Sequence, residues 1–296
     1  MTVDNAFKRA IELKANIIAE KSLEDYKNRL NGLQKWLKKN HKDVKLINQV
    51  TKKLVVDYLN VVQLRSSARN RNNHKTVYSS IFQVLEDNDI IEKNFIKQIS
   101  TLKSKPTRHK TYTHKEQIEI FKYLESEDPH LLLFIKFMAY SFIRPIEVCR
   151  LKVKDVNIEE KTIQFKAKNK ALKTKIIPQI LLKELPDLSH LNKEHYLFGA
   201  NAIGEKWNTN LINRRDYFSK RYKTVKDALN FSDNYGLYSF RHTFITKVYR
   251  ALVKESSPYE AKSKLMQITG HSSMTALEKY LRDIDAELPE DYSNLL

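Results

Sequence analysis

The stretch AYSFIRPIEVCRLKVKDV, residues 139–156, carries the most informative pattern in this sequence of 296 residues. Arg144 follows an apolar run, Pro145 suits the first turn of a helix, and Glu147 and Leu151 follow at helical spacing. Arginine suits anion recognition because its planar guanidinium can hold two phosphate oxygens at once. A single arginine at a helix start is usually a surface residue. A functional role for Arg144 therefore depends on what other residues the chain contains.

Two later segments add residues of the same chemical kind. The segment LYSFRHTF, residues 237–244, places Arg241 near the predicted start of a helix, where free backbone N–H groups favour an anion. The segment ITGHSSMTALEKYL, residues 268–281, contains His271 and, nine residues later, Tyr280. The sequence therefore offers two arginines, a histidine and a phenol, each of which can interact with a phosphate.

A basic hairpin is predicted between these segments. Thr162 to Lys166 and Lys175 to Ile177 form its predicted strands around a turn rich in Lys and Asn. Lys168 stands in this hairpin, 24 residues after Arg144. Its rivals for any single chemical role are the neighbouring lysines Lys166, Lys170, Lys173 and Lys175.

Together and in this order, the segments resemble the tyrosine recombinase (phage-type integrase) family. The resemblance covers most of residues 105–285. It extends more weakly to residues 20–100, where NDIIEKNFIKQI resembles the end of the family's core-binding domain. It implies a mainly α fold with a small β-hairpin, in which a helical, SAM-like core-binding domain and a catalytic domain form a C-shaped clamp around duplex DNA. The expected boundaries are an N-terminal helix over 1–20, the core-binding domain over 21–103, a linker over 104–112, and the catalytic domain over 113–296.

The resemblance also implies roles for individual residues. Arg144 and Arg241 would bind the scissile phosphate, and His271 would donate a hydrogen bond to one of its oxygens. Lys168 would act as the general acid, and Tyr280 would be the nucleophile.

The chain departs from the family pattern at Tyr238, because the family usually has a histidine three residues before its second arginine. A phenol can hydrogen-bond a phosphate oxygen, but its free pKa near 10 makes it a poor proton acceptor at neutral pH. This departure weakens a general-base role at Tyr238. His242, which follows Arg241, is interpreted as structural.

Composition supports a polyanionic partner. The 53 Lys and Arg exceed the 35 Asp and Glu by 18, which is more than solubility requires, although a merely basic soluble protein is the alternative. Basic residues at a predicted helix start, in the linker and in the hairpin could contact DNA or form a solvated face. These candidate DNA contacts are Arg65, Arg69, Arg71, Lys75, Arg108, Lys110, Lys170 and Lys173.

Several classes of protein are excluded by what the sequence lacks. The single cysteine, Cys149, excludes a disulfide scaffold and fits a reducing compartment. The sequence has no Gly-rich phosphate loop, no HExxH motif and no Cys/His cluster, so no cofactor or metal is expected. The longest apolar run, residues 131–142, is interrupted by Lys136 and is too short to span a membrane. We therefore expect a soluble, cytoplasmic, DNA-associated protein of a prokaryote.

Helix starts are predicted from capping residues. Ser22 with Asp25, Thr51, Ser66 or Ser67, and Thr113 with Glu116 are the candidates. Helices are also predicted over residues 3–20, 114–126 and 129–141, and from about Asn208 to the end.

The predicted function is site-specific recombination of DNA through a 3′-phosphotyrosyl intermediate and a Holliday junction, without metal or ATP, as in the integrases of mobile elements. The expected partners are a double-stranded recombination site and three further copies of the chain in a synaptic homotetramer, with accessory DNA-bending proteins left open. The free protein would be a monomer, and no membrane is involved.

In the acidic segment 281–296, Leu281, Ile284 and Leu288 suit a helix exchanged between copies, or a tail packed on its own domain. Two alternatives are relaxation of DNA by a type IB topoisomerase and sequence-specific DNA binding without catalysis.

Overall fold

The computed structural model describes residues 1–104, 110–166, 172–288, 293 and 296. Helices dominate these residues, and two small antiparallel sheets accompany them, so the predicted mainly α fold is confirmed. The chain divides into two compact units, Met1–Pro106 and Thr107–Leu296. Within the part of the chain that is described, no helix combines the length and apolar character needed to span a bilayer.

The N-terminal unit consists of helices whose starts largely follow the predicted capping residues. The hydroxyls of Thr51 and Ser67 accept from the backbone N–H groups of Leu54 and Asn70. The predicted cap at Ser22 is wrong, because the extended residue before that helix is Ala19, which has no capping side chain. The helices are α1 (Val3–Ala15), α2 (Glu20–Asn40), α3 (Lys52–Arg65) and α4 (Ala68–Asp87), with short 3₁₀ turns at Ile47–Gln49 and Phe95–Gln98.

An apolar core holds the N-terminal unit together. Leu30, Leu33 and Leu37 recur at helical spacing on α2 and are buried. They share one cluster with Phe7 of α1 and Phe82 of α4, whose rings meet edge to face with centroids 6.0 Å apart. The core of this unit therefore forms from the apolar faces of its amphipathic helices.

The second unit contains the remaining elements. Its first helix begins with the predicted capping box: Thr113 and Glu116 exchange both side-chain-to-backbone hydrogen bonds. The helices are α5 (His114–Glu127), α6 (Pro129–Ser141), α7 (Pro145–Val148), α8 (Gln179–Leu182), α9 (Leu211–Ala228), α10 (Leu237–Glu255), α11 (Pro258–Thr269) and α12 (Met274–Asp283). The strands are β1 (Val156–Asn157), β2 (Thr162–Lys166), β3 (Leu172–Ile176), β4 (Tyr196–Phe198) and β5 (Ile203–Glu205).

The predicted hairpin is present, with a shifted second strand. Strand β3 spans Leu172–Ile176 rather than Lys175 to Ile177, and it pairs antiparallel with β2 from Thr162 opposite Ile176 to Lys166 opposite Leu172. Strand β1 adds to the other edge of β2, and β4 pairs with β5 in a separate sheet. These additional strands are only two or three residues long, too short to produce an alternating sequence pattern.

Helix α6 is the buried centre of the second unit, and its end sets the direction of the chain into the candidate site. Phe134 stacks on Phe218 of α9 with ring centroids 4.0 Å apart. Phe142, just after α6, adopts the left-handed conformation with φ of 53°, which is unusual for a bulky residue. This turn allows Arg144 to begin the short helix α7 only two residues later.

Helices α10, α11 and α12 pack around a smaller core. Ile245, Leu265, Leu277 and Leu281 are fully buried in it. Because Leu277 and Leu281 flank Tyr280 on α12, their burial fixes the helix face on which Tyr280 lies.

Candidate active site

Arg144 is held by an acidic neighbour at the start of α7. Its backbone N–H donates to Glu147 Oε2 at 2.8 Å, and its Nη1 donates to Glu147 Oε1 at 3.0 Å. Glu147 is buried while the Arg144 side chain remains partly exposed. The carboxylate therefore orients the guanidinium, and the remaining donors of Arg144 are left for another ligand.

Arg241 lies in the second turn of α10 and is only 2% exposed. Its Nε and Nη1 atoms have no hydrogen-bond partner among the described residues. A buried charge whose donors are unpaired is costly for a fold. Such a group is suited to an anion that brings both charge and acceptors into the site.

Lys175 brings a further amine into the same site from β3. Its Nζ donates to the carbonyl oxygens of Ser141 at 2.9 Å and Phe142 at 3.3 Å, at the end of α6. Burial, followed by the charge of Arg241, lowers the pKa of Lys175 to about 6. Nearby on β3, Lys173 Nζ donates to Gly270 O at 3.1 Å.

The histidine segment follows the end of α11. Gly270 occupies the left-handed region with φ of 74°, and its N–H caps the helix through Met266 O. His271 Nδ1 lies 2.6 Å from the Thr269 hydroxyl. Burial first, and then the charges of Arg241 and the other nearby cations, lower the pKa of His271 to about 4.

Tyr280 of α12 faces this cationic cluster. Its ring centroid lies 5.1 Å from that of His271, and its hydroxyl lies 2.7 Å from His242 Nδ1. Burial raises the pKa of the phenol above its ordinary value, while Arg241 and Arg144 offset part of that rise.

Tyr238 interacts with both Arg144 and His242. Burial opposes the charge of Arg144, but the nearby Glu147 and Tyr238 together raise the pKa of Arg144. The ring of Tyr238 also meets that of His242 edge to face, with centroids 4.8 Å apart.

Five of the predicted site residues converge, and three predicted residues lie outside the part of the chain that the structure describes. Arg144, Tyr238, Arg241, His271 and Tyr280 lie in one neighbourhood of the second unit. The predicted general acid Lys168 and the candidate DNA contacts Arg108 and Lys170 lie outside the described residues.

Two residues in this neighbourhood were undervalued from the sequence. Lys175 was one of several rival lysines, and nothing in the sequence distinguished its buried amine from exposed ones. His242 was interpreted as structural, yet it contacts the hydroxyl of Tyr280. The signal for His242 was its spacing: it follows Tyr238 by four residues, so both lie on one face of α10.

The candidate DNA contacts differ in exposure. Arg65 and Arg69 are exposed, Lys75 is partly exposed and donates to the Thr101 hydroxyl, and Lys110 lies 6.0 Å from the Tyr235 ring. Arg71 is only 5% exposed, and its Nη1 donates to Ser100 O at 3.0 Å. Because the Arg71 side chain is buried and hydrogen-bonded within the N-terminal unit, the prediction that it contacts DNA is wrong.

The start of the predicted exchange segment packs on its own unit. Leu281 and Ile284 are buried in the core of α10, α11 and α12. Arg250 donates to Ala286 O and Asp285 O, and Leu288 remains exposed. Only residues from Leu288 onward remain candidates for exchange, and most of these lie outside the described residues.

A sequence model of the phage integrase family matches residues 110–287, which is more than half of the chain. The chain belongs to this family. The resemblance to tyrosine recombinases expected from the three segments is thereby confirmed. The match contains every described residue of the convergent group.

Solved structures show that this chain shares its fold with DNA-bound integrases. A lambda integrase dimer bound to a COC′ core site has a TM-score of 0.76 at 16% identity, covering 99% of this chain and 81% of that one. A lambda integrase tetramer bound to a Holliday junction has a TM-score of 0.69 at 17% identity, covering 93% and 79%. The Tn1549 transposon integrase with circular intermediate DNA has a TM-score of 0.67 at 13% identity, covering 100% and 98%. A search of curated proteins found no match.

Proposed function

We propose that this integrase is a site-specific DNA recombinase that cuts and rejoins DNA through a covalent bond to Tyr280. The observation that carries the proposal is the environment of the Tyr280 hydroxyl. It lies among Arg144, Arg241 and His271, and buried donors of Arg241 have no partner among the described residues. A phosphodiester supplies both the negative charge and the acceptor oxygens that these groups lack.

The proposed reaction begins with attack by Tyr280 Oη on the scissile phosphorus. Arg144, Arg241 and His271 stabilise the charge that develops on the non-bridging oxygens. The bond from phosphorus to the 5′-oxygen breaks, and Lys168 protonates that oxygen as general acid. The products are a 3′-phosphotyrosyl bond and a free 5′-hydroxyl, as the family resemblance implies.

This mechanism requires neither ATP nor a metal ion. The phosphotyrosyl bond retains the energy of the broken phosphodiester, so a 5′-hydroxyl from another strand can rejoin it. The cationic side chains supply the charge stabilisation that metal ions supply in two-metal nucleases. Two rounds of strand exchange, through a Holliday junction, complete recombination.

The proposed partner is duplex DNA, and the proposed active assembly is a homotetramer of a protein that is monomeric when free. A lambda integrase with this fold is described as a tetramer bound to a Holliday junction. Residues from Leu288 onward are the proposed exchange segment, because Leu288 is an exposed apolar side chain directly after the segment that Arg250 fastens. DNA contacts are proposed for the exposed Arg65 and Arg69, for Lys75, Lys110 and Lys173, and for Arg108 and Lys170 outside the described residues.

The experiment that tests this function is covalent trapping. The protein is incubated with duplexes from the DNA that flanks its gene. Each duplex carries a nick, so that the short fragment bearing the new 5′-hydroxyl diffuses away after cleavage. We expect a protein–DNA adduct on a denaturing gel, and we expect Tyr280→Phe to abolish it because no oxygen remains to attack. Tyr259→Phe is the matched control, since Tyr259 lies in the same unit and is 73% exposed.

The outcomes separate this function from its alternatives. A protein that binds these duplexes without ever forming an adduct would be a DNA-binding protein rather than a recombinase. A protein that relaxes supercoiled plasmid without a recombination site would act as a topoisomerase. An adduct that persists in Tyr280→Phe would place the nucleophile on another residue.

A further inference from the structure

The hydroxyl of Tyr280 requires a proton acceptor before it can attack phosphorus. Burial raises the pKa of this phenol, so it is protonated at neutral pH. A neutral phenol is a weak nucleophile, and its proton must leave as the new bond to phosphorus forms. The position where the family usually has a histidine holds Tyr238, which is a poor proton acceptor.

The other basic side chains around the phenol are less well placed than His242 to accept this proton. Arg144 and Arg241 have only donors. The Lys175 amine donates to two backbone carbonyl oxygens. His271 has its Nδ1 hydrogen-bonded to a threonine hydroxyl, and it contacts the ring of Tyr280 at 5.1 Å between centroids.

His242 is in direct contact with the attacking atom. Its Nδ1 lies 2.7 Å from Tyr280 Oη, and its ring lies 5.4 Å from the ring of Tyr280. Arg241 also hydrogen-bonds this hydroxyl and can only donate to it. The hydroxyl must therefore direct its own hydrogen to a different neighbour, and His242 Nδ1 is in position to accept it.

The location of His242 on α10 explains how it could replace the missing family histidine. It lies one helical turn after Tyr238, on the same face of the helix, and the two rings are in contact. The side chain is buried, and the apolar residues beside Tyr280 on α12 are buried too. Both partners of the hydrogen bond are thus fixed by packed helices, which favours a preorganised proton transfer.

We propose that His242 is the general base for attack by Tyr280. This inference rests on the proposed recombinase function. As Tyr280 Oη bonds to phosphorus, its proton moves to His242 Nδ1 and the bond to the 5′-oxygen breaks. Lys168 gives a proton to that oxygen, so His242 gains a positive charge while Lys168 loses one. In the rejoining step, the attacking 5′-hydroxyl gives its proton to Lys168, and His242 returns its proton to the departing Tyr280 oxygen.

The first test is His242→Asn in the full chain. Asparagine can still hydrogen-bond near the position of Nδ1, but its amide does not accept a proton at neutral pH. We expect adduct formation in a single turnover to slow about 100-fold or more, in the range that general bases contribute. His130→Asn is the matched control, because His130 is a partly buried histidine of the same unit that bonds to Gly199 O. Cleavage by His242→Asn at the wild-type rate would overturn the proposal.

A second measurement separates proton transfer from a structural role. Replacing Tyr280 with difluorotyrosine makes the phenol more acidic and reduces its need for a base. We expect this replacement to restore much of the activity of His242→Asn. A purely structural defect would remain unchanged.

A substrate with sulfur in place of the 5′-bridging oxygen adds a further distinction. Its thiolate leaves without needing a proton, so it rescues loss of a general acid. We expect no rescue of His242→Asn on this substrate. Full rescue would assign His242 to the leaving group and overturn the proposal.

The wild-type chain provides a test that does not depend on a variant folding. In protein with ¹⁵N-labelled histidine, the proposal requires His242 Nδ1 to be unprotonated at neutral pH and its Nε2 to carry the hydrogen. A protonated Nδ1 would overturn it. The proposed function is tested separately by trapping with wild-type protein: if that succeeds while the histidine tests fail, only the assignment of His242 falls.

Discussion

The N-terminal unit buries Leu30, Leu33 and Leu37 against other apolar side chains, whereas the candidate active site buries Arg241 and the amine of Lys175. The first interior gains free energy from removing apolar surface from water. The second buries groups whose charged forms are costly to remove from water, which opposes folding. The apolar interior therefore stabilises the fold, whereas the rest of the second unit must offset the cost of burying the charged groups of the candidate site.

Two buried arginines express the same contrast. Arg71 of the N-terminal unit donates to the carbonyl oxygen of Ser100, which ties helix α4 to the chain that follows it. Arg241 is buried even more completely, but two of its nitrogens have no partner among the described residues. Neither burial nor an unpaired nitrogen alone marks an arginine as functional, because Arg71 Nε and two nitrogens of Arg214 also lack partners among the described residues. Arg241 differs in lying beside His271 and Tyr280.

The largest effect on stability is expected from a cavity in the N-terminal core. Leu33→Ala should lower the free energy of unfolding of that unit by about 2–5 kcal/mol, because a fully buried side chain is lost. Urea denaturation measures this loss. The matched control is Leu64→Ala in the same unit, whose side chain is 87% exposed and should change stability by less than about 0.5 kcal/mol. Equal effects of the two variants would contradict the apolar core described here.

Unlike Leu33→Ala, Arg241→Ala should lower the rate of cleavage without lowering the stability of the fold. The rate of adduct formation should fall about 100- to 1000-fold, as when one preorganised donor to a developing anion is removed. Stability should be unchanged or higher, because the variant removes a buried charge whose Nε and Nη1 have no partner among the described residues. Single-turnover trapping and urea denaturation measure the two quantities.

Arg221→Ala is the control for loss of an arginine. Arg221 lies in the same unit but is paired with Asp128, and its Nε donates to Asp128 Oδ2 at 2.8 Å. Its loss should reduce stability and leave the rate of cleavage by folded protein unchanged. Slow cleavage by Arg221→Ala would show that the rate reports general damage to the unit.

The sequence indicated candidate residues for the site but not their contacts. Capping at Thr51, Ser67 and Thr113 was readable because a cap depends on neighbours within four residues. Convergence of Arg144, Arg241 and Tyr280 could be expected only through the family resemblance, since these residues lie far apart in the chain. The start of α2 was wrongly predicted at Ser22, because Ala19, the residue before the helix, has no capping side chain.

The hydrogen bond between Tyr280 and His242 and the anchoring of Lys175 to the end of α6 could not be predicted. Both depend on the packing of elements distant in sequence: α10 on α12, and β3 against the turn at Phe142. The burial of Arg71 was equally hidden, because a basic residue near a helix start has the same sequence signature whether it faces solvent or a carbonyl oxygen. Tertiary packing therefore decided these roles where local pattern could not.

The smallest effect concerns two histidines whose pKa values are both lowered to about 4, one in each region. Burial is the main cause in both, but for His74 the charge of Arg29 lowers the pKa further while that of Asp25 raises it, whereas for His271 several cations lower it further. Both bind protons more weakly folded than unfolded, so each stabilises the fold least at low pH: stability should fall as pH drops from about 6.5 towards 4. NMR titration measures each pKa directly.

Binding of a short duplex should separate these two histidines. A phosphate beside His271 would offset the surrounding positive charge and raise its pKa, since an opposite charge favours the protonated form. His74 is held by burial and by its hydrogen bond to Tyr78, so its pKa should move much less. The titration is repeated with Arg241→Ala, where His271 should start from a higher pKa and shift less on binding. Equal shifts of the two histidines in the wild-type protein would contradict the view that only the second interior is built to receive an anion.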